Sequence, residues 1–207
     1  MPGQEEPLHE RTVTLRLIIM GPPGSGKGTQ AEYIARHFGV PAVSTGDIFR
    51  AHVLGRTELG AEASKYMHSG EFVPDHVTNA MVRQRLGDTD VQTGFLLDGY
   101  PRTTAQIEAL DGFLSGTRHR LDAVLELTVD DDELVARMLR RAKEQGRSDD
   151  TAPVIRRRLE LYRDQTRAVV ERYLERGIVL AVDGSGHREE ITAKAIGAIE
   201  SALRKGL

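Results

Sequence analysis

The sequence predicts an α/β fold in which a parallel five-stranded sheet is covered by helices on both faces. Three observations carry this. Short apolar, β-branched-rich runs recur at Val13–Met20, Pro41–Val43, Gly94–Leu97, Ala123–Val129 and Ile178–Val182. Segments of helical periodicity lie between them: Lys27–His37, Asp47–Leu54, Glu58–His68, Asp75–Leu86, Thr104–Leu114, Asp131–Glu144, Pro153–Arg176 and Arg188–Leu203. The strands are apolar throughout rather than alternating, as expected of parallel strands buried on both faces. The chain has 207 residues, enough for one core that removes roughly 70% of the unfolded surface from water.

The first run ends in Gly21-Pro22-Pro23-Gly24-Ser25-Gly26-Lys27-Gly28-Thr29, and a helical pattern follows. Strand, glycine-rich turn, lysine and helix form the context of a phosphate cradle. The glycines let backbone N–H groups converge, the helix start adds partial positive charge, and Lys27 reaches outward. The common pattern puts a metal-holding Ser or Thr directly after the lysine. Gly28 stands there instead, and Thr29 is rotated about 100° away on the helix. A metal here is therefore expected to be held by nucleotide and water, with an acidic residue in support.

Ser44-Thr45-Gly46-Asp47-Ile48-Phe49-Arg50 opens residues 44–73, two short helices without a strand partner, read as an insertion at the binding edge. Its turn, with Asp47, is expected to cap the first of them. Pro74-Asp75 suits a helix entry. Phe95-Leu96-Leu97-Asp98 is a buried strand ending in an acid that can stand beside phosphates or cap a turn. In the following Gly99-Tyr100-Pro101-Arg102, an aromatic before proline makes a cis bond plausible, and a guanidinium can grip phosphate with two parallel hydrogen bonds. Thr103-Thr104-Ala105-Gln106 fits a capping box. It also offers an amide with a donor and an acceptor, which matches a base edge.

Arg137, Arg140, Arg141 and Arg147, with Arg156, Arg157 and Arg158, flank a polar segment, residues 142–152, that reads as a second insertion and a moving lid. The helix from Pro153 carries Ile155, Leu159, Tyr162, Thr166, Val169 and Tyr173, one buried stripe. Val182-Asp183-Gly184-Ser185-Gly186 is a turn before the last helix.

The formal charge of −3 gives no global attraction to nucleic acid or anionic membrane. The chain has no cysteine, which excludes disulfides and thiolate metal sites. No apolar run is long enough to span a membrane. Residues 1–11 are polar and read as a disordered tail, so residues 12–207 are expected to form one domain. None of the seven histidines falls in these motifs, and no Ser–His–acid arrangement is visible.

The glycine-rich loop, Asp98-Gly99-Tyr100-Pro101-Arg102, the Thr45–Arg50 string and Arg141-Ala-Lys-Glu-Gln-Gly-Arg147-Ser-Asp149-Asp150 together resemble the nucleoside monophosphate kinases, the adenylate kinases above all. The likeness covers roughly residues 13–186. It implies a P-loop fold with an NMP-binding insertion and a short lid without zinc, since only seventeen positions separate Arg141 from Arg158. It implies ATP binding by Gly24, Ser25, Gly26, Lys27, Gly28, Thr29, Arg141 and Gly186. On the other side it implies AMP binding by Thr45, Arg50, Phe72, Val73, Gly99, Arg102, Gln106, Arg147 and Arg158. Catalysis would fall to Lys27, Arg102, Arg141, Arg147 and Arg158, with Mg²⁺ accompanying ATP and supported through water by Asp98. The implied partners are ATP, AMP and ADP, without nucleic acid or membrane, for a cytoplasmic monomer.

Thr45 and Gln106 favour AMP, because kinases of UMP and CMP typically carry Ala and Asn at these places. Such a kinase is the alternative reading, and a non-catalytic nucleotide-binding module a remote one. Arg140, Arg156 and Arg157 are expected to face solvent. Two departures stand out. Tyr100 replaces the usual Phe, and Arg167 lies where the family commonly has Pro, which should alter helix packing rather than chemistry.

Overall fold

The computed structural model describes residues 14–145 and 151–206. Five parallel strands, β1 (Leu15–Met20), β2 (Ala42–Ser44), β3 (Gly94–Asp98), β4 (Ala123–Thr128) and β5 (Val179–Asp183), form one sheet in the order β2-β3-β1-β4-β5. Each lies within two residues of its predicted position. The Val13 start of the first run and the tail of residues 1–11 fall outside the described residues. Around the sheet are α1 (Lys27–Phe38), α2 (Thr45–Leu54), α3 (Glu58–Ser69), α4 (Asp75–Leu86), α5 (Thr104–Gly116), α6 (Asp131–Gln145), α7 (Ala152–Leu161), α8 (Arg167–Glu175) and α9 (Arg188–Lys205).

Because side chains alternate along a strand, the sheet feeds two cores. Leu15, Leu17 and Ile19 of β1, with Leu125 and Leu127 of β4, pack against Ile34 of α1 and Ile191, Ala195 and Ile199 of α9. Ile18, Met20, Leu97 and Val124 point the other way, against Met81, Leu110, Val169 and Tyr173 of α4, α5 and α8. A third, small cluster joins α6 to α7 through Leu134, Met138, Ile155 and Leu159. The pair α6–α7 therefore has a core of its own beside the sheet.

The long helix predicted for Pro153–Arg176 is interrupted. Between α7 and α8 the chain makes a π-helical turn, Tyr162–Thr166, closed by the Arg167 N–H donating to the Tyr162 carbonyl. The apolar stripe runs on across it, with Leu159, Thr166, Val169 and Tyr173 all buried. One face of the helix thus stays in the core while an extra residue is accommodated on the other.

In sheets of this kind ligands sit beyond the carboxyl ends of the strands, where connections leave in opposite directions. Here that point lies at central β1, whose neighbours are β3 and β4. Ser44 and Ile19 both pair with Asp98 in register. The register thereby brings the glycine-rich loop, the opening of the 44–73 insertion and the Asp98–Arg102 turn to one edge.

Candidate active site

A cleft of about 750 Å³ opens at that edge. The loop after β1 forms its floor. Gly24 shows why a side chain is excluded there: with φ +87°, a Cβ would lie 2.8 Å from the Leu134 carbonyl of α6. Gly26 ends the loop in the left-handed region and Lys27 begins α1, so the positive end of the helix faces the cleft. The Lys27 ammonium donates to the carbonyls of Gly21 (2.7 Å) and Pro22 (2.9 Å). Burial pulls its pKa down to about 8, against the pull of Asp98 and assisted by Arg102 and Arg141. Ser25 is buried in the loop with its Oγ lacking a protein partner, and Gly28 brings the Asp98 carboxylate close to the start of α1.

Asp98 ends β3. Burial raises its pKa, while Lys27 and Arg102 hold it down. Gly99 follows with φ +80°, and a Cβ there would meet Thr45 Oγ1 at 2.7 Å and Arg102 Nη2 at 3.0 Å. Tyr100–Pro101 is cis, as expected. Arg102 donates from Nε to the Gly99 carbonyl (2.8 Å) and lies over the Phe72 ring at 5.2 Å. Its pKa is lowered by burial; Asp98 opposes this, while the charges of Arg158 and Arg50 add to it. Thr166 of the π turn donates to the Arg102 carbonyl (3.3 Å), so the widened helix braces this arginine from behind.

The acceptor wing is built on α2. Ser44, not Asp47, caps that helix: its Oγ accepts from the Asp47 N–H. Asp47 instead accepts from Arg50 at 2.5 Å, which folds the guanidinium over Gly46. Thr45 is buried and donates to the Gly99 carbonyl at 3.1 Å. Gln106 is buried too. Its main-chain N–H is capped by Thr103 Oγ1 (3.2 Å), its Oε1 accepts from the Arg102 N–H (2.7 Å), and its Nε2 donates to Asp75 Oδ1 (2.7 Å). The helix-start reading thus holds for the backbone of this turn. The side chain bonds one residue further back than a capping box would, and still lines the cleft.

Most predicted residues meet in this space. Gly24, Gly26, Lys27, Gly28, Thr29, Thr45, Arg50, Phe72, Val73, Asp98, Gly99, Arg102, Gln106, Arg141 and Arg158 all line it. Gly186 does not line the cleft; its turn is held to α6 by Arg137, which donates to the Gly184 carbonyl at 3.0 Å and pairs with Glu133. Arg147 and the middle of the 142–152 lid, residues 146–150, fall outside the described residues; residues 142–145 continue α6 and Ala152 begins α7.

Arg140 is exposed as expected, at the cleft's lip, and one expectation needs correction. Arg157 is not simply solvated but pairs with Glu71 at 2.7 Å, tying α7 to the end of the 44–73 insertion. Arg156 is exposed as expected. Sequence reasoning missed Asp75, Arg137, Tyr162 and Thr166. The spacing of four between Arg137 and Arg141 was a usable signal for Arg137. Asp75 and Thr166 depend on partners distant in sequence, and Tyr162 reaches the cleft from the π turn.

The donor set fits a hydrated cation carried by phosphates. Among the described residues no group of three or more His, Cys, Asp or Glu could hold a metal by itself. Asp98 offers one carboxylate beside the cradle, as suits Mg²⁺ that keeps its waters and binds phosphate oxygens. Among the described residues, no helix is long and apolar enough to cross a membrane.

Comparison with known proteins agrees with this geometry. The family model for adenylate kinase matches residues 19–178. An adenylate kinase of Pseudarthrobacter chlorophenolicus is 62% identical over 187 residues, covering 90% of this chain and 97% of that protein. One of Nocardioides sp. is 60% identical over 186 residues, with 90% and 97% covered. One of Thermobifida fusca is 50% identical over 187 residues, with 90% and 99% covered.

Proposed function

The chain belongs to the adenylate kinase family, and from that premise we propose how its residues divide the work. The reaction is reversible transfer of the terminal phosphoryl group of ATP to AMP, giving two ADP. Enzymes of this family use Mg²⁺ with ATP. When bound, Mg²⁺ neutralises charge on the donor phosphates, and Asp98 would hold it through water.

The donor phosphates lie in the loop of Gly24, Ser25, Gly26, Lys27, Gly28 and Thr29. Lys27 exchanges its two carbonyl partners for phosphate oxygens, and the Ser25 hydroxyl gains one. Arg141 grips the donor side, and the Gly184–Gly186 turn, anchored by Arg137, lies under the ATP base. The acceptor is held by Arg50, Arg102 and Arg158 at its phosphate, with Phe72, Val73, Gly99, Thr45 and Gln106 around the nucleoside. Arg147 completes the cage from the lid.

Transfer requires in-line placement and neutralisation of charge spread over the transferring oxygens, and no strong base, because the acceptor phosphate is already anionic. Water is the competing acceptor, and closure of residues 44–73 and 142–152 over both nucleotides excludes it. The observation that carries this assignment is the convergence of Lys27, Arg50, Arg102, Arg141 and Arg158 on the two wings of one cleft, with Asp98 between them. We also place the protein in the cytoplasm, and as a monomer; light scattering behind a sizing column checks the oligomeric state.

The test is ADP formation from MgATP offered AMP, UMP, CMP and GMP separately, with and without bis-adenosine pentaphosphate. Turnover with AMP alone, blocked by that compound, is the expected result. A preference for UMP or CMP would keep the phosphate-binding arginines and overturn the roles given to Thr45 and Gln106.

A further inference from the structure

Asp75 begins α4, where the chain leaves the 44–73 insertion, and nothing in its own segment explains the partners it takes. Its carboxylate accepts from Gln106 Nε2 on one oxygen and from the Thr103 hydroxyl, at 2.8 Å, on the other. Thr103 in turn caps α5 at the Gln106 N–H. Tyr100 adds a fourth tie, its hydroxyl standing 3.1 Å from the Gln106 carbonyl and 2.8 Å from Asn79 of α4.

The chemistry of these partners settles which way the Gln106 amide points. A carboxylate only accepts, so it takes the NH₂ group; the Arg102 main-chain N–H only donates, so it takes the oxygen. The two demands agree, and a flipped amide would set N–H against N–H and oxygen against carboxylate. An amide has two N–H donors and two acceptor lone pairs. With one of each used, one donor and one acceptor remain for the cleft.

From this juxtaposition we propose that Asp75 is a specificity-determining positioning residue: it locks the Gln106 amide in the orientation that reads a 6-aminopurine and rejects a 6-oxopurine. The 6-amino group donates and the adjacent ring nitrogen accepts. A 6-oxopurine inverts both, offering an oxygen and a ring N–H. A free amide could turn to suit either base; a locked one suits only the first, and against the second it leaves buried groups unpaired. The proposal rests on the reading of Gln106 as the base contact.

The test compares AMP with inosine monophosphate, which has the inverted edge on an otherwise similar purine. In Asp75→Ser the side chain is too short to span to Gln106 but still suits a helix start. It should lower the AMP-over-IMP ratio of kcat/KM about ten-fold, the scale of one charge-assisted hydrogen bond. KM for ATP should stay within two-fold of the parent, and Asp75→Asn, which keeps an acceptor oxygen, should restore most of the ratio. An unchanged ratio in Asp75→Ser, or equal losses for both nucleotides, overturns the proposal. Gln106→Ala, measured alongside, distinguishes the two levels. If it collapses the ratio while Asp75→Ser does not, only the locking role is wrong; if it leaves the ratio intact, the base-contact reading fails and the locking role with it. Should Asp75→Ser not fold, side-chain amide exchange in the native protein decides. One Gln106 Nε2 proton should be protected without nucleotide, and equal, fast exchange of both overturns the lock.

Discussion

Lys27 should take up a proton when MgATP binds at alkaline pH. In the free protein its ammonium donates to two carbonyls, and burial, opposed by Asp98 and assisted by Arg102 and Arg141, brings its pKa from 10.5 to about 8. Phosphate oxygens favour the charged form far more strongly than carbonyls do. Binding should therefore restore full protonation. At pH 9 about nine-tenths of Lys27 is neutral before binding, so about 0.9 proton is taken up per nucleotide, against about 0.1 at pH 7. Calorimetric titration with MgATP, without AMP, in buffers of different ionisation enthalpy measures that number. The same equilibrium gives kcat/KM for ATP a descending limb above about pH 8.

The consequence for stability has a definite sign. A lysine whose folded value lies below its unfolded one opposes folding in full below about pH 8. The penalty fades as pH rises toward 10.5, so this group alone should raise stability by at most about 3 kcal/mol across that window. Lys27→Arg, charged throughout, should show neither the uptake nor the limb. Equal proton uptake at pH 7 and pH 9, or a limb that survives in Lys27→Arg, would refute the reasoning.

Other changes separate packing from chemistry. Gly99→Ala places a methyl 2.7 Å from Thr45 Oγ1 at φ +80°; it should cost about 2–4 kcal/mol by denaturant titration and cut turnover as Arg102 is displaced. Tyr100→Phe removes the hydroxyl between α4 and the Gln106 carbonyl; about 1–2 kcal/mol of stability should go, with KM for AMP rising several-fold and KM for ATP unmoved. Arg167→Pro deletes the N–H that closes the π turn and an exposed pair with Glu171; melting should show about 1–3 kcal/mol lost, while steady-state turnover stays nearly unchanged.

The sheet was legible because continuous apolar runs have few alternatives to a doubly covered strand. Runs such as Phe95–Leu97 could be placed within two residues without any knowledge of partners. The π turn was not legible, since the apolar spacing of fours and threes from Ile155 to Tyr173 is what an uninterrupted helix would also show. Gln106 was posed as a choice between capping and base contact. The structure separates main chain from side chain and leaves two of the amide's four hydrogen-bonding positions for a ligand, a division that spacing does not encode. Asp75 looked like an ordinary first-turn acid because its partners lie some thirty residues away. Helical spacing put Arg137 beside Arg141, yet only the packing of Leu134 and Met138 against α7 decides which side of α6 meets the cleft.

Several basic groups at or beside the cleft are already occupied by the protein's own oxygens. Lys27 rests on Gly21 and Pro22, Arg102 on Gly99, Arg50 on Asp47, Arg137 on Gly184, and Arg157 on Glu71. The cleft is consequently no bare anion trap. An incoming anion must outcompete several resident acceptors at once, and a single phosphate can replace only one or two of them. A pair of nucleotides presents a row of phosphoryl groups and can displace those around the transfer path together. On this reasoning the cleft should discriminate among anions by the number and spacing of their charges as well as by the base they carry.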